Sequence, residues 1–223
     1  MVDYCPPPDF QVDDSVLLPL LKSPHVGVAY GVGQLDEDTI TDYQIQSCWV
    51  SPGGNDIIMT GALSQASREG IMWCKSFAET FWSSILEAFG LPPPPSSSSS
   101  FGPFYKPEFD LHVHVAHSWH PLPAAYQMGA IFMSLVSLMV GRRAMPHVAV
   151  LGDLSNLGEL ISDWEVTEEM IHFCRLRGIH TLVVGHGTTI GDKAKKAASS
   201  RDEIIEVHTV WKVLDAIPFC FDV

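Results

Sequence analysis

Basic side chains are scarce in this sequence: 13 Lys and Arg stand against 26 Asp and Glu, a net charge of −13 over 223 residues. A chain of that sign is repelled by a phosphate backbone, so nucleic acid is not an expected partner. Long apolar runs are also missing. The longest, Met128 to Val140, is about 13 residues and contains two serines, whereas a bilayer crossing needs roughly 20; no membrane association is expected. The opening, Met1 to Asp9, is acidic and proline-rich. It lacks the basic start and apolar run of a secretory signal and the arginines of a transit peptide, so an intracellular, by default cytoplasmic, location is expected. The five cysteines are scattered and never form a Cys-x-x-Cys pair, which excludes a disulfide framework or a cysteine zinc site and leaves buried or incidental thiols. No Gly-x-x-x-x-Gly-Lys-Ser/Thr loop is present, and Gly27, Gly31 and Gly33 fall within the first predicted strand with no helix after it. Neither a phosphate loop nor a dinucleotide fingerprint is encoded, and no cofactor is expected.

What is present is the composition of a folded globule, 46% hydrophobic and 17% charged. Residues 1–23 hold four prolines and read as an extended arm, with the fold spanning 24–223. Early segments 25–34 and 42–50 have strand periodicity, the second with Tyr43, Ile45, Ser47 and Trp49 on one face. A turn at 51–55 and a third strand at 56–60 complete an expected antiparallel meander. Ser64 caps a helix whose apolar positions from Ile71 to Leu86 recur at three and four, ending near Gly90. A proline- and serine-rich insertion follows at about 91–107. The remainder reads strand 109–116, loop 117–123, helix 124–140, strand 147–151, helix 166–177, strand 180–185, a short basic segment, strand 203–207 and helix 209–216. Such an order defines an α+β class, early antiparallel strands followed by a mixed strand and helix lobe.

Asp110, His112 and His114 alternate along one strand and therefore share a face. With His117 and His120 close behind, they suggest either a transition-metal cluster or a polar face hydrogen-bonded beside a loop. Ser118, between His117 and His120, reads either as a nucleophile beside a base or as part of a rigid surface loop that helps form a peptide groove. Lys193, Lys195 and Lys196 read as a solvated helix face or a local docking patch.

The run Asp110-Leu111-His112-Val113-His114-Val115 also begins an ordered set of matches. Leu135-Val136-Ser137 with Gly141-Arg142, Val148 to Leu154 with Leu157-Gly158, and Arg177 to Val184 follow it, while Met59 to Leu63 and Arg68-Glu69 precede it. In this order the chain resembles the proteolytic domain of the Lon proteases, from about residue 25 to residue 216. The resemblance implies a Lon proteolytic-domain-like fold, no metal at the histidine strand, and assembly into an oligomer. The ATPase module usually fused to such domains has no phosphate loop here.

The resemblance also implies a serine nucleophile and a lysine base, and neither matching position holds one. Counting back from Gly141 puts the nucleophile at Tyr126, or at Gln127 in a register shifted by one; counting back from Gly178 puts the lysine at Met170. No lysine occurs between residues 107 and 192. The loop aspartate falls at Pro123 and the threonine before Gly152 at Leu151. These replacements imply a catalytically inactive Lon-like domain, a pseudoprotease acting through protein binding: a homo-oligomer, a partner of an active Lon-type homologue, or a binder of unfolded peptide. The alternative is a divergent Lon-type serine peptidase or other hydrolase in intracellular proteolysis, using Tyr126 or Ser118 with a histidine. Around the lost dyad, Asp110, His112, His114, Ser118, Leu151 and Gly152 are the expected groove or supporting residues.

Overall fold

The structure, a computed structural model, describes residues 25–34, 39–61, 63–93, 103–116, 124–200 and 204–222. The expected arm, the serine run, and Ser118 with His117, His120 and Pro123 lie outside the described residues. Seven strands form one sheet: β1 (Val28–Gln34), β2 (Ile40–Val50), β3 (Ile57–Gly61), β4 (Asp110–Ala116), β5 (Val148–Leu151), β9 (Thr181–Gly185) and β11 (Glu206–Val210). Four two-residue strands, β6 (Asp153–Leu154), β7 (Leu160–Ile161), β8 (Glu165–Val166) and β10 (Thr189–Ile190), pair as β6 with β7 and β8 with β10. The main order is β11-β9-β5-β1-β2-β4-β3. Only the β1–β2 and β2–β4 pairs are antiparallel; the other four are parallel. This is a mixed α/β arrangement, consistent with the α+β class.

The early strands do not form the expected meander. β4 lies beside β2, and β3 pairs parallel to β4 on its outer side. The turn after β2 explains this, because it is bonded to the entry of β4 instead of closing back on β2. Gly53 N–H donates to the Glu108 carbonyl at 3.0 Å and Asn55 N–H to the Phe109 carbonyl at 3.1 Å. One Asp110 carboxylate oxygen accepts from Gly54 N–H at 2.7 Å and Asp56 N–H at 2.9 Å. Gly53 lies so close to the Asp110 backbone that a Cβ would collide with it.

Among the described residues the helices are α1 (Gln65–Thr80), α2 (Trp82–Ala88), α3 (Ala124–Val140), α4 (Glu168–Leu176), α5 (Asp192–Ala198) and the short α6 (Ile217–Cys220). Ser64 caps α1, accepting from Ser67 N–H at 3.0 Å. The single helix expected up to Gly90 is broken at Phe81, where ψ is +22°. The Thr80 hydroxyl donates to the Ser76 carbonyl at 2.8 Å, and such side-chain bonding to the preceding turn bends helices. α3 has buried side chains around much of its circumference, among them Ile131, Phe132, Met133, Leu135 and Val136, because it lies between the sheet and α1. Its two serines are bonded as well. Ser134 Oγ donates to the Gly27 carbonyl at 2.7 Å and takes the Ser47 hydroxyl at 2.7 Å, and Ser137 Oγ accepts from Gly27 N–H at 2.8 Å.

β5 shows how both faces of the sheet are covered. Val148 and Val150 enter a core with α1 and α3, while Ala149 and Leu151 enter a second core with α4 and α5. Such continuous apolar strands are characteristic of parallel sheets buried on both sides. The last strand begins three residues later than expected, at Glu206, and runs to Val210 in register with Gly185 at the end of β9. Thr209 is therefore strand and not helix. A 3₁₀ turn, Val213–Ala216, leads into α6, where Pro218 fits the first turn because its missing N–H has no partner to lose there. The basic segment is α5, with Ala194 and Ala198 buried and all three lysines exposed. Cys74, Cys174 and Cys220 are buried and Cys48 is exposed. Burial raises all three buried thiols, Cys174 to about 12, so they are protonated and unreactive.

Candidate functional site

The positions singled out in the sequence fall in two groups. Asp110, His112 and His114 are on β4; Leu151 ends β5 and Gly152 follows it, with β1 and β2 between, three strand spacings or roughly 14 Å away. On β4 the polar groups are engaged within the sheet. Thr60 Oγ1 is 2.8 Å from His112 Nε2 and 2.8 Å from His114 Nδ1. One hydroxyl donates once, so at most one of the two ring nitrogens accepts from it and at least one donates to it. Backbone N–H groups, Gly54 first, then Asp56 and Asn55, hold the Asp110 carboxyl below its ordinary range. Among the described residues no three His, Cys, Asp or Glu side chains converge as metal ligands.

The second group centres on the amino-terminal ends of α3 and α4. Tyr126 is in the first turn of α3, half-buried, with its carbonyl accepting from the Tyr43 hydroxyl and its ring packed on Trp164 at 5.0 Å between centroids. Partial burial, and then the Asp163 carboxylate, raise the phenol above its ordinary value. No hydrogen bond joins that phenol to a base among the described residues. The neighbouring Gln127 is fully buried, with both amide atoms lacking a partner among the described residues.

Met170 is 0% exposed. It shares the second core with Leu151 and Val166, and Trp164 packs against that same core. Thr167 caps α4 by accepting from Met170 N–H at 3.3 Å, and Glu168 and Glu169 occupy the first turn, where the helix dipole favours carboxylates. Gly152, at φ +141°, accepts from Gly129 N–H at 3.1 Å; a Cβ there would come within 2.8 Å of Leu160. Trp164 thus connects Tyr126 to the cluster holding Met170 and Leu151.

Beside Trp164 opens a cleft that the sequence motifs did not identify. Its volume is about 350 Å³, and it is lined by Asp153, Ile161, Ser162, Asp163, Trp164 and His186. Its walls are cross-linked by backbone: Ser162 N–H donates to the His186 carbonyl at 3.0 Å, His186 N–H to Leu160 at 2.8 Å, and Thr189 N–H to Trp164 at 3.1 Å. The His186 ring stacks on Trp211 at 4.0 Å. Ser162 Oγ, Trp164 Nε1 and His186 Nε2 are all buried and lack partners among the described residues. The only sequence signal was the polar and aromatic triplet Ser162-Asp163-Trp164 between two apolar segments.

Fold and site together describe a mixed α/β protein with a half-open acidic and aromatic cleft beside the amino-terminal end of a buried helix. No protein-family model matches the chain. Over 134 residues, 60% of this chain, it is 25% identical to Lon protease 1 of Herpetosiphon aurantiacus, of which the matched chain spans 16%. The similarity supports a distant relationship to Lon proteases. Among the described residues no helix is long and apolar enough to cross a membrane.

Proposed function

We propose that this chain is a Lon-like proteolytic domain without the serine–lysine dyad, acting by protein binding: in self-assembly, with an active Lon-type homologue, or on an unfolded peptide client. A cytoplasmic location belongs to the same reading. The observation that carries it is the chemistry at the two matched positions. A nucleophile needs a partner to take its proton, yet the Tyr126 phenol has a raised pKa and no hydrogen-bonded base among the described residues. The base position, Met170, is an apolar side chain closed within a core. Loss of either member of such a unit lowers turnover by about a million-fold, and loss of both lowers it little further.

The test is hydrolysis of an unstructured fluorogenic protein. The natural chain is expected to leave it intact over a time in which an active Lon protease consumes it. Cleavage that disappears in Tyr126→Phe would establish the divergent hydrolase instead, with Tyr126 as its nucleophile.

A further inference from the structure

The lysines of α5 form one wall of a second groove, of about 370 Å³, that runs between α4 and α5. Glu168, His172 and Arg175 line it from α4, and Lys193 and Lys196, with Ser200 just past the helix end, line it from α5. His172 and Arg175, like Lys193 and Lys196, are three residues apart and therefore neighbours on one helix face. Arg175 fastens the two walls together, its Nη2 donating to the Ala197 carbonyl at 2.8 Å. Its Nη1 is 3.4 Å from His172 Nδ1. A guanidinium only donates, so Nδ1 accepts and the ring proton is on Nε2, 3.7 Å from the Glu168 carboxylate.

The lining thus holds three cations, Arg175, Lys193 and Lys196, against the single carboxylate of Glu168, which faces His172. Neighbouring cations are paired: Arg177 with Asp42 at 2.9 Å and Lys195, outside the lining, with Asp192 at 3.5 Å. Lys193 and Lys196 are exposed and form no ion pair among the described residues, in a chain with 26 acidic side chains against 13 basic ones. The Glu169 carboxylate does not neutralise them. It is held first by its own backbone N–H and then by the Thr167 hydroxyl, and Lys193 adds only a smaller, longer-range attraction. Like charges one turn apart on a helix repel, so an anionic occupant would relieve a strain the chain leaves in place.

Shape narrows the class of anion. Lys193 and Lys196 are about 4.5 Å apart along the helix axis, with Arg175 on the opposite wall. Alternate side chains of an extended chain are about 6.6 Å apart on one face, a spacing that flexible lysine stems can meet, whereas one small anion reaches only part of the set. A long polyanion would run out of the groove over a surface of net charge −13. We infer that the groove between α4 and α5 binds a short, extended acidic segment of a partner protein, with Lys193, Lys196 and Arg175 taking its carboxylates and Glu168 excluding a further one at the amino-terminal end of α4. The inference rests on the protein-binding reading and names the class of partner.

The experiment is titration calorimetry of the full chain with the acetylated, amidated pentapeptide Ala-Glu-Ala-Glu-Ala and its glutamine counterpart. Physiological ionic strength is used, where repulsion by carboxylates more than about 8 Å away is screened. Inorganic phosphate and a fluorescently labelled unfolded protein are measured alongside. The glutamate peptide is expected to bind about tenfold or more tightly than the glutamine peptide, the preference shrinking as salt is raised further. A Lys193→Gln, Lys196→Gln double variant, altering two exposed positions, is expected to remove that preference without lowering the melting temperature, and Lys195→Gln to retain it. Equal binding of the two peptides, a preference that survives the double variant, or no peptide binding by a chain that still binds the unfolded protein overturns the groove assignment and leaves the protein-binding reading standing. Phosphate binding as tightly as the glutamate peptide overturns the extended-segment part. If peptides and unfolded protein alike fail to bind, the groove assignment falls together with client binding.

Discussion

The outer end of the sheet, around β4, and the cleft beside Trp164 are both rich in polar and aromatic side chains, yet they treat hydrogen-bonding groups in opposite ways. At β4 a carboxylate oxygen takes two turn N–H groups and one threonine hydroxyl serves two imidazoles. At the cleft a serine, an indole and an imidazole are buried without partners among the described residues. A polar group already bonded within the protein stabilises the fold, whereas one buried and unbonded is a destabilising group. Histidines at a suggestive spacing are thus less informative than the bonds they have already made.

The sharpest way to break this contrast is to put an ionisable group into the second core. Met170→Lys places an ammonium at a fully buried position and is expected to destabilise the fold by about 3–5 kcal/mol, as an unpaired buried charge does. Burial lowers a lysine pKa, so the folded chain holds the neutral amine. The proton-linked part of the penalty is therefore absent above the unfolded lysine value, near 10.4, and grows as pH falls toward the lowered folded value. Thermal melting across pH measures it. A variant as stable as the natural chain at neutral pH would mean that the α4 position is open to solvent or a partner charge.

Leu151→Thr places a hydroxyl in the same core and is expected to cost about 1–3 kcal/mol, from a buried polar group with no partner and lost packing. Denaturant unfolding at constant slope reads that loss. Two deletions of a hydroxyl then compare the regions directly. Thr60→Val removes the group that bonds both imidazoles and is expected to destabilise by about 1–2 kcal/mol, whereas Ser162→Ala removes an unpaired buried hydroxyl and is expected to be neutral or slightly stabilising. Equal destabilisation by both would erase the distinction drawn here.

The smallest effect concerns acid. Asp110 has a folded pKa lowered by the Gly54 and Asp56 N–H groups, so its contribution is complete above the unfolded value of about 3.9 and is lost as pH falls through the folded one. Asp110→Asn is expected to lower stability modestly at neutral pH and to flatten the acid limb of the stability curve, the two chains converging below the folded value.

Much of the scaffold was legible in the sequence for physical reasons. Helix α3 was found at its full extent, Ala124–Val140, because an apolar run of that length between turn residues leaves little choice. The inward face Tyr43, Ile45, Ser47 and Trp49 followed from strand alternation, and all but the half-buried Trp49 are buried. Strand pairing was less legible, because the position of β4 beside β2 depends on Asp110 bonding a turn more than 50 residues earlier. The late start of β11 depends likewise on register with β9, which local pattern does not encode. At the site, the absence of lysine between residues 107 and 192 was plain. The cleft was not, since Ser162 and Trp164 meet His186 only through β7 and the segment after β9, and the lack of a partner is a property of packed atoms alone.

The measurement that bears most directly on the proposed activity is sedimentation of the natural chain with a fluorescently labelled unfolded protein, followed by gel analysis of the label. The expected result is label sedimenting with the chain and recovered at full length. Recovery as fragments, with fragmentation abolished by Tyr126→Phe, would contradict binding without cleavage.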